Sequence, residues 1–278
     1  MHPTAVRRYT VPWDGESRTL ELPAARVTAE LRFKDRPPLP DPAAAILHAL
    51  ENPIGARPLR DLAGPGARVA LITGDRMTDR MLGARDRLDL KLDVLVNSDE
   101  QIVDLYAGDF RQEWRAAVAA AKEIWTTPIE PGDIAVIYPG DTRERYLSCC
   151  SYMTVAMGAS MCRPDGAVIV TLSAAGGWSA EPESDRHQAS LEQFALSSTE
   201  MARRMVRSQG NLRSLSNVYR EKLVMERLPV YLHCDGFSDA EARELGFAGA
   251  FRTLEEALAV AGRRIGRPEG TIKVCAHA

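Results

Sequence analysis

From residue 92 onward, short apolar runs alternate with helical stretches, and this alternation constrains the fold more than any other feature of the chain. Strands are expected at 92–97, 102–106, 133–138, 167–172, 229–233 and 271–275. Helices are expected at 111–124, 145–162, about 187–208, 211–226, 239–245 and 253–263, where apolar residues recur at helical spacing. Two starts carry capping boxes: Ser238 with Glu241, and Thr253 with Glu256. On the helix at 111–124, Trp114, Val118, Ala121 and Trp125 recur on one side, and Trp114 reads as a core aromatic. Strands that alternate with helices imply parallel sheets covered on both faces.

Residues 6–31 alternate loosely, with a strand at 18–22. Arg36-Pro37-Pro38-Leu39-Pro40-Asp41-Pro42 cannot be helical throughout, but Asp41 as N-cap and Pro42 as first helical residue open a short helix over 43–51. Another turn of helix at 58–62 precedes the breaker Gly64-Pro65-Gly66, and 68–73 reads as a buried strand. The expected fold class is α/β. It has two lobes, 1–88 and 89–278, each with a mainly parallel sheet flanked by helices, and a cleft between them. No internal repeat is present.

A chain of 278 residues with 45% hydrophobic and 26% charged content can bury its own core. Its net charge of −3 argues against nucleic acid as the main partner. No apolar run approaches the roughly 20 residues that span a bilayer, and the N-terminus has no apolar core of the signal-peptide kind. Five cysteines, an odd number without a Cys-x-x-Cys pair, point to reduced thiols and a cytoplasmic protein. Cys149 and Cys150 read as helix packing.

Ligands of open α/β sheets bind at the carboxyl ends of strands, so the polar residues just past each apolar run are the candidates. Strand 68–73 ends in Gly74-Asp75-Arg76-Met77-Thr78, where Asp75, Arg76 and Thr78 are candidate ligand contacts. An arginine fork matches a carboxylate; the alternative is a capping Asp beside a solvated Arg. Strand 133–138 ends in Pro139-Gly140-Asp141-Thr142-Arg143-Glu144-Arg145-Tyr146. Asp141, Arg143 and Tyr146 there open a helix whose first N–H groups would be free for an anion. Strand 167–172 ends in Ser173-Ala174-Ala175-Gly176-Gly177, where Gly176 and Gly177 would permit close approach of a ligand or form an ordinary loop. Asp75, Arg76, Asp141 and Arg143 are expected to line the cleft.

Metal ligands are thinly supplied. No two of His2, His48, His187, His233 and His277 lie three or four residues apart. His233-Cys234 and Cys275-His277 could meet only if their strands are neighbours. No metal site is assigned, no catalytic residue is named, and nothing resembles a Ser-His-Asp or Cys-His arrangement.

Asn52-Pro53-Ile54-Gly55 through Gly74-Asp75, then Ala107-Gly108-Asp109, and more weakly Pro229-Val230-Tyr231-Leu232, resemble the nickel-pincer lactate racemase family. The resemblance runs over about 18–79 and 90–275. It implies an isomerase that racemises or epimerises a small 2-hydroxy acid with a tethered nickel pincer nucleotide. In that family a long central stretch carries the tethering lysine and key histidines, whereas here only about a dozen residues separate the two blocks. The family's Asp-x-Thr-Arg motif is matched at Asp75 but meets Met77 and Thr78. Its later histidine meets Trp114, and its glutamine and lysine meet Ser148 and Ser151 or, in another register, Tyr146 and Cys149. The chain as it stands is therefore not expected to hold nickel or the pincer cofactor. Two readings stay open: a racemase of this family, or a shortened paralogue that binds a small carboxylate without pincer chemistry. Homo-oligomerisation is open as well.

Overall fold

The computed structural model describes residues 5–32, 36–64, 66, 89–97, 99–140, 144–179, 192–207, 209 and 212–276, with the side chains of 149–153, 212–214 and 217 set aside. These residues fall into two compact units, 1–32 with 128–278, and 33–127.

The first unit is built on six parallel strands. In chain order they are β3 (Val27–Leu31), β6 (Gly132–Ile137), β7 (Cys162–Thr171), β8 (Val230–His233), β9 (Gly249–Phe251) and β10 (Ile272–Cys275); their spatial order is β3-β10-β6-β7-β8-β9. Every residue of β6 is buried, as a parallel strand covered on both faces requires. Its side chains alternate between two cores. Ala135 and Ile137 meet Val168, Val170 and Leu172 on one face, packed by helices Leu147–Met161 (α4), Ser198–Val206 (α5) and Leu212–Met225 (α6). Ile134, Val136 and Tyr138 face the other way with Ile169 and Tyr231. They are covered there by Leu254, Ala257, Leu258 and Ala261 of helix Leu254–Arg264 (α8). Each such fully buried aliphatic side chain stabilises the unit by about 1.5–3 kcal/mol relative to exposure.

The same face is also covered by an antiparallel hairpin, β1 (Val6–Trp13) and β2 (Glu16–Pro23), which inserts Tyr9, Val11, Trp13, Leu20 and Leu22 into the core. Asp14 and Gly15 form its turn with φ of 51° and 84°, the left-handed pair that a two-residue hairpin demands. Helix Asp239–Glu244 (α7) starts from the Ser238–Glu241 capping box that the sequence predicts. Thr253 likewise caps α8, accepting from the Glu256 N–H.

The second unit is smaller. Strands β4 (Lys91–Val96) and β5 (Ile102–Gly108) pair antiparallel, and helix α3 (Phe110–Trp125) packs on them through Leu95, Val103 and Ile124. Helix α1 (Pro42–Glu51) is capped by Asp41 with Pro42 in its first turn, and α2 (Leu59–Leu62) is a single turn. The two stretches that carry the family resemblance meet here. Ile54 N donates to Ala107 O at 2.7 Å and Asp109 N donates to Ile54 O at 2.8 Å. Gly108, at φ 155°, lies so close that a Cβ would sit 2.1 Å from Ile54 O. Asp109 then caps α3, accepting from Arg111 N and Gln112 N.

Several expectations need correction. Trp114 is not a core residue: it is 51% exposed, and the face of α3 that is buried carries Glu113, Ala117 and Ile124. Strands 92–97 and 102–106 are a hairpin rather than part of a parallel sheet, because the five residues between Val96 and Ile102 are too few for a parallel crossover. The strand expected at 167–172 begins earlier, because Cys162–Gly166 is continuous with it in β7 and accommodates a register irregularity beside β6. The helix expected over about 187–208 is broken: among the described residues a helical turn at 192–194 ends before a separate helix starts at Ser198 on an N-cap from Ser197. The compact units do not divide at 88/89: β3 pairs with β10, Val27 beside Ile272, so the N-terminal strands fold with the C-terminal half. The expected strand 68–73 lies outside the described residues.

Candidate functional site

In the first unit the carboxyl ends of the parallel strands gather a polar cluster under the hairpin turn. Three strand-end segments build it: residues 138–140 and 144–146 after β6, 172–178 after β7 and 234–238 after β8. Glu144 is the centre of one half. Its buried carboxylate accepts Asp14 N at 3.0 Å and Ser173 N at 3.1 Å, joining hairpin turn to strand end. The exposed Arg145 pairs with Asp14 at 2.9 Å. Ser173 O in turn accepts the N–H groups of both Asp235 and Gly236 at 3.0 Å. The approach is tight enough that a Cβ on Gly236 would lie 1.7 Å from Ala174 O. Ala174 itself has a φ of 50°, a left-handed conformation uncommon outside glycine.

The other half centres on Asp235 and His233. Asp235 Oδ2 accepts Trp13 Nε1 at 2.6 Å and Arg18 Nη2 at 2.7 Å. The Arg18 guanidinium lies 4.0 Å from the Trp13 ring centroid. Burial pushes the Asp235 carboxyl up, but the hydrogen bonds from Arg18 and Trp13 and the charges of Arg18 and Arg252 outweigh it, holding it below the usual carboxylate range. His233 packs beneath Trp13, ring centroids 5.2 Å apart, with Nδ1 2.7 Å from Thr171 Oγ1. Burial and the Arg18 charge bring its pKa down to about 4 against the pull of Asp235 and a hydrogen bond to the Arg252 main chain, so the ring is neutral. Arg252, exposed at the end of β9, donates to Cys234 O at 3.1 Å.

Of the residues predicted from sequence, Asp75, Arg76, Thr78, Asp141 and Arg143 lie outside the described residues. Tyr146, Gly176 and Gly177 are brought together. The Tyr146 ring occupies the space where a Gly176 Cβ would stand, 2.2 Å from Cε1, and Gly177, at φ 76°, gives its carbonyl to Leu147 N at 3.0 Å. Ser148 N is taken by Trp178 O at 2.8 Å. The first two N–H groups of α4 are thus satisfied by the loop itself, which corrects the idea of a free anion site at this helix start.

Trp13, Arg18, Glu144 and Asp235 were not singled out from the sequence. Asp235-Gly236 follows an apolar strand just as Gly74-Asp75 follows an apolar run of the sequence, so the strand-end rule applied to β8 would have found it. Trp13 and Arg18 gave no such signal, because only the tertiary docking of the hairpin brings them to the strand ends.

The described residues do not fit a nickel centre. Among them no three His, Cys, Asp or Glu side chains are grouped to hold a metal. Strands β8 and β10 are separated by β6 and β7, about 14 Å at ordinary strand spacing, so Cys234 and Cys275 cannot share an ion. Both cysteines are buried and form no disulfide, and the same holds for Cys162. The His233 imidazole is committed to Thr171. Of the described lysines, Lys91 is bound to Asp93 and Glu113, Lys273 is buried on β10, Lys222 lies over the Phe194 ring and Lys122 is exposed on α3. No helix among the described residues is long and apolar enough to cross a membrane.

Residues 13–110 match the family model of the lactate racemase N-terminal domain. Among solved structures, the fold is similar to that of the lactate racemase apoprotein from Thermoanaerobacterium thermosaccharolyticum. The TM-score is 0.55 at 19% identity, with 77% of this chain and 51% of that one covered. The chain thus spans about half the length of that relative. No curated protein sequence matches. The matched segment reaches from the hairpin tip at Trp13 through the Ile54–Gly108 junction to the start of α3. In the sequence of this segment and in the α/β fold of most of its length, the chain resembles the lactate racemases.

Proposed function

We propose that the chain is a lactate-racemase-like protein that binds a small 2-hydroxy acid through its carboxylate at the carboxyl edge of the six-stranded sheet. The observation that carries the reading is the convergence of Arg18 and the Trp13 indole N–H on one carboxylate oxygen at that edge, with Arg145 and Arg252 nearby on the adjoining segments. Guanidinium and indole N–H groups are donors only, and together they select an anionic acceptor. The resemblance to lactate racemases supplies the choice of acid.

Racemase or epimerase activity is the second reading, favoured by the family-model match over 13–110. Inverting a 2-hydroxy acid requires that the C2 hydrogen leave and return on the opposite face. The described residues offer no metal donor set for the pincer cofactor that the resemblance implies, and a neutral, fully engaged His233 is a poor base. Binding without inversion is therefore the reading the described geometry supports better.

The deciding experiment titrates the purified chain with L-lactate and D-lactate by calorimetry, and follows each enantiomer by chiral chromatography. Saturable binding without interconversion is expected. Interconversion would establish the racemase reading instead, and no heat of binding at tens of millimolar acid would refute both.

A further inference from the structure

We propose that Trp13 and Arg18 form a carboxylate seat whose resident occupant is the chain's own Asp235, so that an external carboxylate gains the seat by displacing that side chain. The inference rests on the 2-hydroxy-acid reading and adds the regulation of that site.

The seat is preassembled. Trp13 and Arg18 are diagonal neighbours on the hairpin, Arg18 standing opposite Val11 and Trp13 opposite Glu16, and the guanidinium stacks 4.0 Å from the Trp13 ring centroid. They converge on a single oxygen, Asp235 Oδ2, at 2.6 and 2.7 Å. Two N–H donors aimed at one carboxylate oxygen are the arrangement an external carboxylate would meet. Beneath the Trp13 ring, His233 is uncharged and offers an aromatic floor rather than a competing charge. The Arg18 and Asp235 side chains are 36% and 38% exposed, so both are reachable from water.

Asp235 is suited to leave without unravelling its strand end. Its main chain is held separately, by Asp235 N and Gly236 N on Ser173 O. Rotation about the side chain would release the donors while those bonds stay intact. The displaced carboxylate would keep a cation nearby, since the Arg252 charge already acts on Asp235. The neighbouring latch, Glu144 on Asp14 N and Ser173 N, does not involve the seat and would hold the hairpin turn in place during the exchange.

The test is chemical rescue. In Asp235→Ala the seat is vacant, so the variant should melt below the wild type. Sodium acetate should raise its melting temperature where sodium chloride of equal ionic strength does not, because a ligand that binds only the folded state stabilises it by mass action. The wild type should respond little to acetate, and Arg18→Gln/Asp235→Ala should not respond at all. L-lactate should bind Asp235→Ala at least about tenfold more tightly than wild type, since truncating a carboxylate leaves a paired cation needing a partner. Should the alanine variant fail to fold, Asp235→Asn keeps an acceptor oxygen for Trp13 while losing the charge, and the same gain in lactate affinity is expected of it. Lactate binding to the wild type with no gain in either variant and no acetate rescue would overturn the seat and leave the 2-hydroxy-acid reading standing. Acetate rescue without lactate binding by any variant would uphold the seat and overturn that reading.

Discussion

Glu113 offers the sharpest test of how the second unit is held together. It sits in the first turn of α3, fully buried, beside Lys91 at the start of β4. Lys91 Nζ donates to Glu113 Oε2 at 3.0 Å and also to Asp93, and lies 5.6 Å from the Phe110 ring centroid. One cation thus serves two carboxylates, and Glu113 Oε1 finds no hydrogen-bond partner. Burial raises the Glu113 pKa, the Lys91 hydrogen bond opposes it and the Asp93 charge adds to it, so that it is pushed up from 4.5 to about 7. Between those two values the folded chain holds a proton that the unfolded chain has released. Stability is therefore greatest at the acid end of that window and falls as pH rises through it. The gap corresponds to a ceiling of about 3 kcal/mol.

Glu113→Gln removes the titration and keeps an acceptor for Lys91. The variant should lose the fall in stability between pH 5 and pH 8, match the wild type at pH 5, and exceed it at pH 8. Amide hydrogen exchange within α3, β4 and β5 is the suitable readout, because it reports opening of this unit alone. Asp93→Asn should shift the wild-type transition to lower pH by removing the like charge. The reasoning is refuted if Glu113→Gln is markedly less stable than wild type at pH 8 and the wild-type profile rises through the window; Glu113 would then be an ordinary ionised partner of Lys91.

Two further substitutions probe the carboxyl edge of the parallel sheet. Glu144→Ala strands the N–H groups of Asp14 and Ser173, and should cost about 2–6 kcal/mol in urea unfolding at roughly 1–3 kcal/mol for each orphaned donor; a loss within error would show that water replaces the carboxylate. Gly236→Ala drives a methyl into Ala174 O and should cost at least about 1–3 kcal/mol, with the largest chemical-shift changes at residues 173–176; an unchanged melting temperature would mean that the two strand ends are not packed this closely.

What the sequence revealed followed from how local each signal is. Asp41 before Pro42, Ser238 with Glu241 and Thr253 before α8 act within one helical turn, and all three cap where the spacing places them. Four strands of the parallel sheet were legible as apolar runs; β3 was lost in the loose alternation of residues 6–31, and the three residues of β9 are too few to show a period. Pairing between distant strands leaves no local trace, so nothing in residues 1–32 announced that β3 would lie beside β10. Trp114 misled for a related reason: aromatic residues at helical spacing mark a face, but not whether that face is turned inward. The same limit applied at the candidate site. Gly176 and Tyr146 could be found as strand-end residues of consecutive segments, whereas Asp235 required attention to every strand end and Trp13 required knowing where the hairpin docks.

The docking of the hairpin also changes what the strand-end rule means for this chain. In an open parallel sheet the crevice beyond the strand ends is available because no chain crosses it. Here the β1–β2 turn crosses it, fixed by Asp235 on one side and Glu144 on the other, and the tyrosine of β6's end, Tyr138, bonds Pro12 O at 2.9 Å to complete the clasp. The two clasps are not equivalent. Glu144 is buried and holds main-chain N–H groups of the hairpin turn and of a strand end. Asp235 is more than a third exposed and holds side-chain donors that any carboxylate could satisfy. A perturbation at Glu144 should therefore read out mainly as stability, and one at Asp235 mainly as ligand affinity, so comparing the two separates a structural lid from a binding site built into it.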